Sequence, residues 1–265
     1  VEFHTVGSNV GKKLAQAWGA KFSVVFDSPV DQQFLEMQGT RSMHWQRIVS
    51  TEKETLEAAD AIMAYSPARE SYIQDKYKLR GEVSVLPCVI HKDTVQNKGE
   101  SNVFKIAFIG SFLSWHKVDV LVKAFKRFRE KFPASKLQLI GYGVEWENVK
   151  ALTDKLELGN SVEMPGFVSE EELKTLKENC TVAIMPGSNW YGSPLKLFEY
   201  AQSGIPFIAP QTKTVESIFK DQEHCLYVDS EQEENSLLEK LTFLYENPLK
   251  RNELAINAQR FVEAN

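Results

Sequence analysis

Gly187–Ala209, GSNWYGSPLKLFEYAQSGIPFIA, decides the fold of this chain. It spells a loop, a short helix, a tight turn and a buried strand in succession. Ser193 stands where an N-cap residue belongs, and Pro194 follows at the first helical position, where its missing N–H costs nothing. Gly204 closes the helix, Pro206 forbids its continuation, and Phe207-Ile208-Ala209 opens an apolar strand. A helix that begins after a Gly/Ser/Pro loop presents unpaired backbone N–H groups and a positive dipole end, which together attract an anion. Lys196 falls in the first turn, and Glu199, three residues on, falls on the same side. A cation beside an anion, with a carboxylate one turn deeper, suits a diphosphate and a ribose diol.

The rhythm extends outward from that stretch in both directions. Lys105–Gly110, Leu137–Ile140, Val162–Gly166 and Val182–Pro186 read as buried strands, most of them ending in glycine. Between them, 119–131, 147–158 and 170–179 carry apolar residues at helical spacing, as at Val120, Leu121, Ala124, Phe125 and Phe128. A short strand near Cys225–Val228 and helices over 235–245 and 249–262 complete the series. Strands alternating with helices of this size predict a parallel sheet covered on both faces, with ligands at the carboxyl ends of the strands. Gly110, Gly141, Gly143, Gly166 and the 187–192 loop all fall there.

The first half reads as a smaller α/β unit. It has a helix over 14–18, strands over 22–26, 61–65 and 83–87, and helices over 51–59 and 67–77. About three strands are few beside a typical sheet of ~5–6. Polar residues 92–102 mark a linker, which divides the chain into an N-terminal domain over 1–95, a linker over 96–104 and a C-terminal domain over 105–265.

Composition narrows the function classes. A chain of 265 residues with a net charge of −5 suits two soluble domains and argues against a nucleic-acid backbone as the main partner. There is no apolar run near the ~20 residues of a membrane span, and no secretory signal at Val1-Glu2-Phe3-His4. Cys88, Cys180 and Cys225 lack metal-ligand spacing and read as reduced thiols of a cytosolic protein. No Asp-x-Asp pair occupies a cleft turn, so no metal site is expected.

With these segments in place, residues 105–262 resemble the C-terminal domain of the retaining "group 1" (family 4) glycosyltransferases, proteins of two Rossmann-like domains in the GT-B arrangement. The resemblance is carried by Phe108-Ile109-Gly110-Ser111-Phe112 with Trp115-His116, by Leu139-Ile140-Gly141-Tyr142-Gly143, by Val162–Val168, and above all by Ser193-Pro194-Leu195-Lys196-Leu197-Phe198-Glu199-Tyr200 of an SPLK-type subgroup. Residues 51–91 are similar to the end of that family's N-terminal domain, whose beginning is expected to be missing here.

The resemblance implies transfer of a sugar from a UDP- or GDP-linked donor to a glycan or lipid-linked acceptor, with retention at the anomeric carbon. The nucleotide-sugar is a co-substrate, and no cofactor is implied. Glu199 matches the second glutamate of the family's E-x7-E motif and would accept hydrogen bonds from the ribose. The first glutamate is replaced by Tyr191. Lys196 and His116 would meet the phosphates, His116 standing with Ser111 where the family commonly has cations. Gly110, Ser111, Gly141, Gly143, Tyr191, Gly192, Ser193, Pro194 and Leu195 would line the donor. Gly166, Phe167 and Val168 would border the base. A cytoplasmic enzyme of glycan biosynthesis, associated peripherally with the inner face of the membrane, follows from the same analogy.

Each residue also has a plainer reading: Glu199 and Lys196 as solvated helix residues, His116 as loop packing, and Asp27 as a turn cap with Ser28 and Pro29. Two other functions fit parts of the pattern. Tyr191 and Ser111 allow a non-catalytic nucleotide-sugar-binding module of the same fold. A dinucleotide oxidoreductase would need G-x-G-x-x-G, and after Gly141 and Gly143 the third position is Trp146.

Overall fold

The computed structural model describes residues 1–4, 7–38, 44–86, 95–97 and 103–264. The chain divides into two compact units, Val1–Val89 with Tyr191–Ser193, and Ile90–Trp190 with Pro194–Asn265. The expected linker over 96–104 falls largely outside the described residues, as do Cys88 and His91.

The first unit runs β1 (Glu2–Phe3), α1 (Val10–Trp18), β2 (Ser23–Phe26), α2 (Val30–Gln38), α3 (Trp45–Ala58), β3 (Ala61–Ala64), α4 (Pro67–Lys76) and β4 (Glu82–Val85). Among the described residues its sheet is parallel, in the order β1-β2-β3-β4. The additional strand, β1, is two residues long, too short to show a period of two. α2 also escapes the apolar pattern, because VDQQFLEMQ is largely polar. Phe22, Val24, Phe26, Leu56, Ile62, Ile73 and Tyr77 form the core. Beside it the buried Glu52 of α3 accepts from the N–H of Val30 at 2.7 Å and from the Tyr77 hydroxyl, tying the start of α2 to the end of α4.

The second unit runs β5 (Lys105–Ile109), α5 (Val118–Lys131), β6 (Lys136–Ile140), α6 (Trp146–Lys155), β7 (Val162–Gly166), α7 (Glu170–Glu178), β8 (Val182–Ile184), α8 (Leu195–Gln202), β9 (Phe207–Pro210), α9 (Lys213–Glu216), β10 (Leu226–Val228), α10 (Glu233–Glu246) and α11 (Pro248–Ala264). The sheet order is β10-β9-β8-β5-β6-β7, all parallel. The strands alternate faces with period two. Ile106, Phe108, Val182, Ile184 and Ile208 pack under α5, α6 and α10. Ala107, Ile109, Ala183, Met185, Phe207 and Ala209 pack under α8 and α11. Both faces are covered, which is why the strands read as continuous apolar runs.

From β5 the chain builds outward to β6 and β7, then returns to the other side for β8, β9 and β10. The β5/β8 boundary is therefore the topological switch point, where an open α/β sheet forms its crevice. In a parallel strand the N–H and C=O of one residue point to the same side. Those of Ile109 point toward β8, which pairs with β5 only at Ile106 and Ala107. The buried hydroxyl of Tyr200 on α8 fills the place, accepting from the Ile109 N–H at 3.2 Å and donating to its carbonyl at 3.4 Å. Burial pushes the Tyr200 phenol above its ordinary pKa, so it stays protonated and keeps its donor. Tyr200→Phe is expected to destabilise the second unit by roughly 2–4 kcal/mol, since two buried backbone groups lose their partner. Urea unfolding should show the loss and hydrogen exchange should place it at Ile109; an unchanged Ile109 protection factor would refute the coupling.

Candidate functional site

The turns after the strands of the second unit are held together by backbone packing. Gly110 donates its N–H to Ile140, and Gly141 donates to Gly166 at 2.9 Å, so these amides extend the ladder. What Gly141 contributes is closeness. Gly141 has φ +119°, and a Cβ there would lie 2.0 Å from the Gly110 carbonyl oxygen. At Gly143 a Cβ would lie 2.5 Å from the carbonyl oxygen of Phe112. Gly187 approaches the Trp115 carbonyl just as closely, which draws the loop after β8 against the loop after β5 across the switch point. At the ends of β6 and β7 the Tyr142 and Phe167 rings lie 6.1 Å apart, with Phe167 84% exposed; Val168 packs inward.

His116 sits in this crevice, in the short 3-10 turn 114–116. Its Nδ1 lies 2.5 Å from the Ser111 carbonyl oxygen. A carbonyl can only accept, so Nδ1 carries the proton and the neutral ring presents a lone pair at Nε2. Burial lowers the His116 pKa below its usual value, against the opposing pull of the Ser111 carbonyl. In the free protein at neutral pH, then, Nε2 accepts hydrogen bonds, and a phosphate contact there requires proton uptake. Lys117 has φ +51° and its ammonium pairs with Glu233 of α10.

α8 begins one residue later than its sequence suggests. Pro194, not Ser193, is the N-cap residue, and no side chain caps the helix. Pro194 accepts from Leu197 at 2.9 Å, which starts the helix at Leu195. The other end follows expectation: Gly204 has φ +66° and donates to Ala201, while Ile205 donates to Tyr200, a Schellman closure. Lys196 in the first turn reaches both Glu199 oxygens, at 3.2 and 3.4 Å.

Two residues that the sequence did not mark are prominent. Lys177 on α7 is buried, with its Nζ 3.6 Å from Glu199 Oε2. In the first unit, Arg69 on α4 is also fully buried, donating its Nε–H to the Tyr191 carbonyl at 2.8 Å. The Tyr191 hydroxyl donates to Glu36, and an Arg69 nitrogen lies 3.8 Å from Asp27. Gly192 and Ser193 belong to the same unit. Both cations lie in polar helices whose patterns look solvated, so only burial reveals them. Cys180 and Cys225 are buried free thiols, Cys180 pushed up to about 12 by desolvation.

NMR of the free protein should show His116 titrating below 6.5, with its proton on Nδ1. Because a protonated ring adds an Nε2–H donor beside any bound phosphate, UDP should raise that pKa. Its affinity should then increase as pH falls through the same interval. A His116 titration that UDP leaves unmoved would exclude the phosphate contact.

The family model described as "Glycosyl transferases group 1" matches residues 90–261. An uncharacterized glycosyltransferase of Methanocaldococcus jannaschii is 30% identical over 169 residues, which are 59% of this chain and 41% of that protein. One of Haemophilus influenzae is 26% identical over 152 residues, 57% of this chain and 41% of its own length. The chain thus spans less than half the length of these relatives. Among solved structures, sucrose-phosphate synthase from Thermosynechococcus elongatus has a TM-score of 0.80 at 22% identity, covering 96% of this chain and 66% of that one. Anabaena HepE in complex with UDP has a TM-score of 0.79 at 15% identity, covering 96% and 71%. A second HepE structure holds UDP and glucose. The fold they share with this chain is the GT-B fold.

Proposed function

The chain belongs to the group 1 glycosyltransferases, and from that membership we propose that it transfers a sugar from a nucleotide-diphosphate donor with retention at the anomeric carbon. The observation that carries the reading is the Lys196–Glu199 pair on α8, the helix that follows β8 at the β5/β8 switch point, with His116 in the turn that follows β5. Leu195 and Lys196 open the first turn of α8, where backbone N–H groups have no partner within the helix. With Lys196, that turn places fixed positive potential where the diphosphate charge develops as the sugar departs. Glu199, one turn deeper, takes the ribose hydroxyls. The neutral Nε2 of His116 accepts from a sugar hydroxyl, or takes a proton to meet a phosphate. The base lies beside Gly166, Phe167 and Val168. HepE, similar in fold, is a UDP-bound precedent, and UDP or GDP is the donor nucleotide assigned here.

Calorimetric titration of UDP and GDP into this chain tests the donor site. One of them should bind at micromolar Kd, and Glu199→Ala should weaken it roughly tenfold or more, the loss of charge-assisted hydrogen bonds to a diol. An unchanged affinity in the variant would remove Glu199 from the site. Anomeric NMR of a product made with a matched donor would test retention.

The acceptor is assigned to the glycan or lipid-linked class, reached by a cytoplasmic enzyme at the inner face of the membrane. The support lies on α1, which buries no residue and exposes Val10, Leu14 and Trp18 at successive turns, Trp18 at 74%. Lys12 and Lys13 share the helix, the composition of a segment that lies in an anionic lipid interface. Vesicles containing phosphatidylglycerol should cosediment the protein, and Leu14→Glu with Trp18→Glu should release it without lowering nucleotide affinity. Equal sedimentation of both forms would reject this assignment.

A further inference from the structure

Lys177 occupies a position that the packing of α7 reserves for an apolar side chain. Leu173 and Leu176 turn toward the core beneath α8, and Lys177, four residues after Leu173, follows them inward. Only 7% of its side chain is exposed. A lysine is seldom buried so deeply unless it is paired, because its ammonium must be desolvated. Among the described residues its ammonium meets Glu199 Oε2 at 3.6 Å. The backbone of Lys177 is also secured, its carbonyl accepting from the Asn97 side-chain amide at 2.8 Å.

Glu199 is thus held from two directions by cations of different character. Lys196 is 39% exposed at the mouth of the helix, three residues away on the same helix. A pair so open to solvent is weak and is readily exchanged for a better anion. Lys177 comes from a separate helix and is shielded from water, so its attraction to Glu199 is weakened less by solvent. From this asymmetry we infer that Lys177 is a positioning residue for Glu199. It fixes the carboxylate from below through Oε2, while Lys196 leaves Glu199 and turns to the diphosphate when donor enters. The inference rests on the reading of Glu199 as the ribose acceptor. Lys177 touches no substrate; it acts by holding the carboxylate in the one orientation that accepts both hydroxyls of the diol.

The test compares affinities for UDP and GDP with those for their 2′,3′-dideoxy counterparts, using the full chain. Wild type should prefer the ribose form roughly tenfold or more, and Glu199→Gln should bring that ratio near one. Lys177→Met should lower the ratio at least threefold, Lys177→Arg should largely restore it, and Lys177→Met should add nothing in the Glu199→Gln background. A general loss of packing would weaken both ligands alike and leave the ratio standing. Should Lys177→Met not fold, Lys177→Gln, which keeps a polar head and loses the charge, carries the same comparison. If Glu199→Gln collapses the ratio and the Lys177 variants keep it, the positioning role is overturned and the donor site stands. If wild type binds neither diphosphate, or shows no preference for the ribose, the assignment of Glu199 falls and that of Lys177 falls with it.

Discussion

Two hydrogen bonds from one phenol organise the second unit. Where β8 parts from β5, the N–H and C=O of Ile109 would be left buried without partners, and the Tyr200 hydroxyl answers both. Leaving such groups unmade costs about 1–3 kcal/mol each, so the helix that carries Tyr200 is fixed over the switch point. Glu199 is the preceding residue on that helix and Lys196 lies one turn before Tyr200. These two candidate site residues are therefore located by a requirement of the fold. Opening the sheet and anchoring the helix are the same event.

The crevice is also shaped by what is small. Gly141, Gly143 and Gly187 let the three connecting segments after β5, β6 and β8 approach to backbone contact, which side chains would prevent. The amides of Gly110 and Gly141 are committed to the ladder. In the proposed donor site, the donors for an anion come from the start of α8 and from the cations around it. His116 adds a group whose hydrogen-bonding character depends on its proton: an acceptor when neutral, a donor when charged. Burial and the Ser111 carbonyl together set where that change occurs.

Charge in the two units is arranged differently. In the second, Lys177 and Lys196 converge on Glu199, an acidic group between a buried and an exposed cation. In the first, Arg69 is buried against the Tyr191 carbonyl and near Asp27, while Glu52 gathers Val30 and Tyr77. Asp27 thus keeps company with an arginine in addition to ending its strand. These networks join helices distant in sequence, and each loses its meaning if one member is considered alone.

The sequence by itself determined the alternating strands and helices of the second unit, because buried parallel strands must be continuous apolar runs and their helices must be amphipathic. It determined the glycine turns and the Gly204 closure, because backbone conformation and close approach leave few other residues possible. It also marked Glu199 and Lys196 as candidates through the SPLKLFEY run, and His116 through the Trp115-His116 pair. It read the first unit less fully, missing a two-residue strand and a polar helix, since neither is long or apolar enough to show a period. Only the tertiary structure decided that α8 starts at Leu195, that Tyr200 serves Ile109, and that Lys177 and Arg69 are buried. Local pattern records the average environment of a helix face. Which charged group on it meets a partner from elsewhere in the chain depends on packing that no local window contains.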